Sequence, residues 1–162
     1  LGNINSIRIH NRPAVLKMLD QNGKDRYMLL TGIKDDIASV QFNNASYDLP
    51  LSEIDRFWYG QFTILWHKPR YYKRAIEPGD SGNIVDWLYT QLDFINATTD
   101  KKRSSKYNDS LRQDVIRFQR QRGLAADGIV GPLTIIHLNT ATGRALPALQ
   151  KHDAEPAQEA RS

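Results

Sequence analysis

The sequence predicts an α+β protein: a small antiparallel sheet unit followed by a bundle of three helices. In the first half, short apolar runs alternate with turn residues at close spacing, which is typical of an antiparallel meander. In the second half, apolar residues recur with the helical period of about 3.6 residues. A glycine-rich segment, residues 123–134, contains the signals for the end of one helix and the start of another.

Turn sequences divide the first half into runs of strand length. Turns are predicted at residues 20–23, 34–36 and 43–44, where Asp, Asn and Gly cluster. Pro50 is typical of a helix start, and we expect that helix to end before Gly60. The predicted strands are residues 14–19, 27–33, 37–42, 45–49 and 62–66.

The hydrophobic period changes after residues 69–74, and three helices are predicted beyond this boundary. The first opens at Gly79-Asp80-Ser81-Gly82, and the polar, basic stretch 96–107 after it is predicted to be a loop. Asn108 or Asp109 can cap the second helix, which we expect to run to residue 122. The apolar face of the first helix consists of Val85, Leu88, Leu92 and Ile95.

The glycine-rich segment predicts a tight corner between the second and third helices. Gly123 lies where a glycine ends a helix in the left-handed conformation, and Asp127-Gly128 predicts a turn. Gly131 is expected to free the backbone again. Pro132 then suits the first position of the third helix, which we expect to extend to about residue 140.

Composition excludes several classes of protein. The chain has 162 residues, of which 40% are apolar and 25% charged, as in globular proteins. The absence of cysteine excludes disulfides, zinc–thiolate sites and a cysteine nucleophile. No apolar run approaches the roughly 18 residues that cross a bilayer. Because the chain begins with Leu1 rather than Met, we expect it to be a piece of a longer protein.

The net charge of +4 suits polyanions and anionic surfaces such as a cell wall. A basic run in the predicted loop raises the alternative of a nucleic-acid binder, but no aromatic platform accompanies it, so a solvated loop is favoured. The run consists of Lys101, Lys102, Arg103 and Lys106.

Neither a metal nor another cofactor is predicted. The four histidines lack the spacing of metal ligands, and the sequence contains no nucleophile elbow of a serine hydrolase. The histidines are His10, His67, His137 and His152.

A set of helix-face and corner residues carries a recognisable pattern in the second half. Its members are Gly79 to Gly82, Val85, Leu88, Leu92, Val115, Phe118, Gln119, Gly123, Leu124, Asp127, Gly128, Gly131 and residues 134–138. Together they resemble the peptidoglycan-binding three-helix domain of many cell-wall hydrolases, over residues 75–141. The stretch 96–107 is longer than the usual connection between the first two helices of that family.

This resemblance implies a peptidoglycan ligand at the corner. The candidate ligand-binding residues are Arg117, Gln119, Asp127, Gly128, Gly131 and Thr134. The alternative is that the glycines only shape the corner, and a solvated position is favoured for Arg117. Trp58, Tyr59 and Trp66 have the rings to stack on sugars, although core packing is favoured for Trp66.

The first half has a resemblance of its own. Residues 11–16, 27–33 and 59–66 look like the sheet half of a papain-like, C39-type peptidase domain. Arg26 stands where that family usually has a histidine, and arginine cannot act as a general base near neutral pH because it stays protonated. The resemblance therefore implies a truncated, inactive peptidase fold over residues 1–70.

The order of the two halves is similar to the periplasmic region of the general secretion pathway protein A family. That resemblance implies non-catalytic binding of peptidoglycan by a periplasmic, inner-membrane-anchored protein with an ATPase domain upstream. It also implies a B partner protein and a role in inserting the type II secretion pore through the wall. Homo-oligomerisation stays open, and no nucleic-acid partner is expected.

The expected domains are residues 1–70, residues 75–141 and a flexible tail over 142–162, which is rich in Ala, Pro, Gln and charge. The first would then serve as a docking scaffold for a partner. The alternative function is a wall-targeting module of a peptidoglycan hydrolase whose catalytic part lies elsewhere.

Overall fold

The computed structural model describes residues 1–98, 103–143 and 147–149. It divides into two compact units, the first formed by Leu1–Leu65 with residues 147–149 and the second by Trp66–Leu146. Lys101, Lys102, His152 and most of the expected tail over 142–162 lie outside the described residues. No helix of the described part is long and apolar enough to cross a membrane.

The first unit contains a five-stranded antiparallel sheet with the order β4-β3-β2-β1-β5. In β1, buried and half-buried residues alternate, which places Ala14, Leu16 and Met18 on the core face. The predicted sheet is therefore confirmed. Its strands are β1 (Ala14–Leu19), β2 (Asp25–Lys34), β3 (Ile37–Phe42), β4 (Ala45–Pro50) and β5 (Trp58–Ile64).

The last strand corrects one sequence expectation. Helix α2 is short (Leu51–Asp55), and β5 begins at Trp58 rather than at residue 62. Gly60 was expected to mark the end of that helix, but it has φ +79° and lies within β5, where the register with β1 shifts. A Cβ on Gly60 would lie 2.4 Å from the carbonyl oxygen of Gly2, so this glycine permits a close backbone approach.

A short first helix, α1 (Ile4–His10), precedes the sheet and was not predicted. The Asn3 side chain accepts a hydrogen bond from the Ser6 backbone N–H, and the Ser6 hydroxyl accepts one from the Asn3 backbone N–H. This capping box starts the helix, which packs the buried Ile7 on the sheet core. Ser6 stands where the usual capping-box pattern has Glu or Gln, and that weakens the signal in the sequence.

The second unit is the predicted bundle of three helices. They are α3 (Asn83–Asn96), α4 (Asp109–Gln121) and α5 (Pro132–Ala141). Of the two predicted caps of α4, the structure uses Asn108, whose side chain accepts from the Leu111 backbone N–H at 3.0 Å, while Asp109 is the first residue of the helix. Their apolar faces share a core that includes Val85, Leu88, Leu92, Leu111, Val115, Phe118, Ile135 and Leu138.

Trp66 is a second correction, because it lies outside β5 and belongs to the second unit. It packs edge-on against Tyr72, with 6.0 Å between the ring centroids, and borders the helical core. The core-packing interpretation of Trp66 therefore holds, although its place in a strand does not.

Candidate functional site

The corner between α4 and α5, residues 123–134, is held from within the second unit. Gly123 has φ +66°, and the Leu124 backbone N–H donates to the Gln119 carbonyl oxygen at 2.9 Å. This is the left-handed helix end that the sequence predicts. Farther along, Val130 and Ile76 exchange both backbone hydrogen bonds, which fixes the far side of the corner.

Gln119 is the centre of the corner's hydrogen bonding. Its side chain is 1% exposed, and its Oε1 accepts from the backbone N–H of Gly128 at 2.9 Å. Because both ends of the amide are occupied inside the protein, Gln119 shapes the corner in this conformation and presents no polar group to solvent. Its Nε2 lies within donating distance of Asp127 Oδ1 (3.1 Å), the Ile129 carbonyl oxygen (2.9 Å) and Thr134 Oγ1 (3.3 Å).

Asp127 makes the predicted turn with its own side chain. Its Oδ1 accepts from the Ile129 backbone N–H at 2.8 Å and from Gln119 Nε2. Asp127 is nevertheless exposed to solvent. In the described part of the chain its Oδ2 has no hydrogen-bond partner, so this oxygen faces the site with its acceptor capacity unused.

Gly128 follows in the left-handed region, with φ +77°. It is buried, and a Cβ added to it would lie 2.8 Å from Cγ of Arg112. Tyr107 Oη donates to the Gly128 carbonyl oxygen at 2.7 Å. Burial raises the pKa of Tyr107, so its hydroxyl keeps the proton that it donates. Gly128 is thus fixed on both sides, and its missing side chain leaves room for Arg112.

Of the three other predicted site residues, Gly131 differs from its expected conformation, whereas Arg117 has the solvated position that the sequence favoured. Gly131 has φ −83° and ψ −176°, so the expectation that it supplies backbone freedom is wrong; it is the N-cap residue of α5. Arg117 is exposed and its Nη1 lies 2.8 Å from Oδ1 of Asp114, as an i,i+3 pair on α4. Thr134 is buried at 5% exposure and accepts from Gln119.

Sequence reasoning missed Arg112, Tyr107, Ile129 and Leu133. Arg112 is partly exposed, and its Nη2 lies 3.5 Å from the Asp127 carbonyl oxygen. Arg112 precedes Gln119 by seven positions, or about two turns of helix, and this spacing was the available signal that both face the corner. Ile129 and Leu133 are 39% and 46% exposed, so the corner also presents apolar surface.

The first unit places Arg26 in β2, exposed, with its Nε 3.1 Å from Asp20 Oδ2. Beside this pair lies a groove of about 270 Å³ lined mostly by apolar side chains. Across the described residues, no cluster of three or more His, Asp or Glu side chains could hold a metal ion. The apolar lining of the groove includes Met18, Leu19, Met28, Phe42 and Phe57.

The helical unit matches the model of a known protein family. Residues 81–138 match the family described as "Putative peptidoglycan binding domain". The matched range contains α3, α4, the whole corner and most of α5. The predicted resemblance to this domain is therefore confirmed, and the corner is part of it.

The chain is also similar to General secretion pathway protein A of Aeromonas hydrophila, with 29% identity over 138 residues. That alignment covers 85% of this chain and 25% of the relative, so the chain spans about a quarter of the relative's length. Because the alignment runs over most of the chain, it includes residues of both units. The resemblance stated from the sequence is confirmed.

A solved structure has a similar fold. It is the crystal structure of a periplasmic domain of the EpsAB fusion protein of the Vibrio vulnificus type II secretion system, with a TM-score of 0.59 and 21% identity. The match covers 87% of this chain and 61% of that chain. At this identity the likeness shows the fold, and it extends over the sheet unit as well as the helices.

Proposed function

We propose that this chain binds peptidoglycan without cleaving it, as a periplasmic part of a type II secretion assembly protein. In this role it helps to insert the outer-membrane secretin through the cell wall. The observation that carries the proposal is the corner of residues 123–134, which is held by the hydrogen bonds of Gln119 and lies inside the peptidoglycan-binding match. The similarity to General secretion pathway protein A supports the assembly role.

The corner has the properties of a site for a polar wall ligand. Its exposed surface combines the Asp127 carboxylate, the partly exposed Arg112 and the apolar side chains of Ile129 and Leu133. Gln119 and Thr134 support it from below and are not available for direct contact in this conformation. Gly128 allows the backbone to turn beneath the ligand. Arg117 pairs with Asp114 on α4 and is not assigned to this surface.

The sheet unit is proposed to be a docking scaffold rather than an enzyme. Within this proposal residues 1–70, which contain the whole sheet, correspond to the C39-type fold, and residues 75–141 form the wall-binding domain. The partner assigned to the scaffold is the B protein of the same secretion pathway. This assignment is supported by the fold likeness to a periplasmic domain of an EpsAB fusion protein.

The alternative is a wall-targeting module of a peptidoglycan hydrolase. It is favoured by the match of residues 81–138 taken alone. The similarity to General secretion pathway protein A extends over 85% of the chain, beyond those residues, and therefore favours the assembly protein. A catalytic amidase or peptidase domain in the full-length protein would decide for the hydrolase.

Binding to purified sacculi is expected to fall only modestly as salt is raised. A shaped corner uses hydrogen bonds and close contacts, whereas exposed charges are screened within about 8 Å at physiological ionic strength. The measurement is co-sedimentation of the whole chain with sacculi at low and high salt, beside a DNA duplex as a second ligand. The control is a variant with Lys101, Lys102, Arg103 and Lys106 changed to serine, which is expected to bind sacculi as the native chain does. DNA binding that this variant loses, with no sacculus binding in either protein, would establish a nucleic-acid binder instead.

No peptidase activity is expected from the pure chain. It contains no cysteine nucleophile, and the position of the family's histidine holds Arg26, which pairs with Asp20. Arg26→His is expected to stay inactive too, since restoring a base does not supply the missing nucleophile. The measurement is release of peptide from sacculi and from an unfolded protein substrate. Turnover that co-purifies with the chain and survives in the Arg26→His variant would contradict the proposal.

A further inference from the structure

We propose that the corner selects a wall peptide bearing a residue with both a free ammonium group and a free carboxylate, such as diaminopimelate. Asp127 binds the ammonium group and Arg112 binds the carboxylate. This inference rests on the proposed function, because it names the chemical group that the peptidoglycan site recognises. The two side chains are neighbours of opposite charge that do not pair with each other.

The lack of pairing follows from how each side chain is held. Asp127 Oδ1 is fixed by the Ile129 backbone N–H and by Gln119, which orients the carboxylate. The Arg112 stem passes beneath Gly128, and its Nη2 approaches the Asp127 carbonyl oxygen at 3.5 Å, not the carboxylate. Among the ion pairs of the described residues, none joins Arg112 to Asp127 or to another acid.

The corner therefore has an unused hydrogen-bond acceptor on Asp127 close to unused donors on Arg112. Asp127 Oδ2 is free to accept, and the guanidinium has donors in a fork that fits a carboxylate. A ligand with only a carboxylate is repelled by Asp127, and one with only an ammonium group is repelled by Arg112. A ligand with both groups satisfies each side chain. The exposed Ile129 and Leu133 provide apolar surface for the aliphatic part of the same residue.

Arg112 differs from the other two arginines of α4 in its surroundings. Arg117 pairs with Asp114, and Arg120 is exposed. Arg112 is the one of these three that lies against the corner. It is therefore placed to read the ligand, and the others are not.

The test uses the whole chain and three soluble disaccharide tetrapeptides as competitors for sacculus binding. The third residue of the peptide is diaminopimelate, diaminopimelate with its side-chain carboxylate amidated, or lysine. In a tetrapeptide the α-carboxyl group of the third residue lies in a peptide bond, so only unmodified diaminopimelate has both a free ammonium group and a free carboxylate at that residue. Loss of one charge-assisted contact is expected to weaken competition about tenfold for the second and third peptides. Equal competition by all three, or by none, would overturn this inference while sacculus binding itself still supports the proposed function. Loss of all sacculus binding in the native chain would overturn the proposed function.

Variants assign the two roles. Arg112→Gln is expected to abolish the preference for the free over the amidated peptide, because the cation that reads the carboxylate is gone. Asp127→Asn retains Oδ1 as an acceptor for the turn, and it is expected to weaken competition by all three peptides about tenfold. The matched control is Arg120→Gln on the same helix, expected to behave as the native chain. A preference that survives in Arg112→Gln with an unchanged melting temperature would overturn the assignment, as would native competition by Asp127→Asn.

Discussion

Gln119→Leu is expected to destabilise the helical unit by about 2–4 kcal/mol. The substitution keeps the approximate volume and removes every polar atom of a side chain that is 1% exposed. The buried N–H of Gly128 then loses the acceptor that lies 2.9 Å away, and the Ile129 carbonyl oxygen loses one of its two donors and keeps the Gly131 backbone N–H at 3.2 Å. Unsatisfied buried groups carry their full desolvation cost, which exceeds the net gain from an average hydrogen bond.

The measurement is thermal and urea unfolding followed by far-ultraviolet circular dichroism, which reports the helices. The matched control is Gln113→Leu, since Gln113 lies on the same helix and is exposed. A surface substitution of this kind is expected to change stability by about 0.5 kcal/mol or less. Similar losses in the two variants would show that the amide of Gln119 does not organise the corner. Sacculus binding should fall with Gln119→Leu and stay with the control.

A charged substitution at Gln119 tests the donor and the acceptor of its side-chain amide separately. Gln119→Glu keeps an acceptor for the Gly128 N–H but removes the donor to Asp127 and Ile129, and it adds a negative charge beside Asp127. Its expected loss is largest at neutral pH and smaller in acid, where a protonated carboxyl group regains one donor. An unchanged loss over that pH range would contradict this account of the four contacts.

Periodicity predicted much of the fold because burial in this protein follows it closely. Strand β3 has the predicted bounds, Ile37–Phe42, and its alternate residues Ala38 and Val40 are buried. The α3 face of Val85, Leu88 and Leu92 is buried as well. The prediction failed at a glycine, because glycine is typical both of helix ends and of irregularities within strands. Gly60 satisfied the signal for a helix end, yet its positive φ permits a strand irregularity against Gly2.

Prediction of the corner's functional residues from the sequence was also incomplete. The sequence singled out Gln119, Asp127 and Gly128, and the structure brings these three together. The sequence could not show which of these residues are buried and support the corner and which are exposed and can contact a ligand, because that depends on which face of the helix meets the loop. Nor could it find Arg112, since α4 carries other arginines at 117 and 120, and only tertiary packing under Gly128 distinguishes one of them.

Gly128→Val is expected to destabilise the helical unit by about 2–4 kcal/mol and to abolish sacculus binding. A β-branched residue at φ +77° has backbone strain of about 1–2 kcal/mol. The new Cβ would also lie 2.8 Å from Cγ and 3.1 Å from Nε of Arg112, so the arginine has to move. For a unit of this size each kcal/mol lowers the melting temperature by roughly 4–8 °C.

Gly123→Val separates the two causes. Gly123 has a similar backbone, φ +66°, but a Cβ there meets no atom within 4 Å. Its expected loss is therefore the strain alone, about 1–2 kcal/mol, with sacculus binding retained. Both variants are compared by unfolding and by co-sedimentation. Equal losses at the two glycines would assign the whole effect to the backbone and contradict the packing of Arg112 beneath Gly128. A Gly128→Val chain with native affinity and melting temperature would show that the corner does not depend on a glycine at that position.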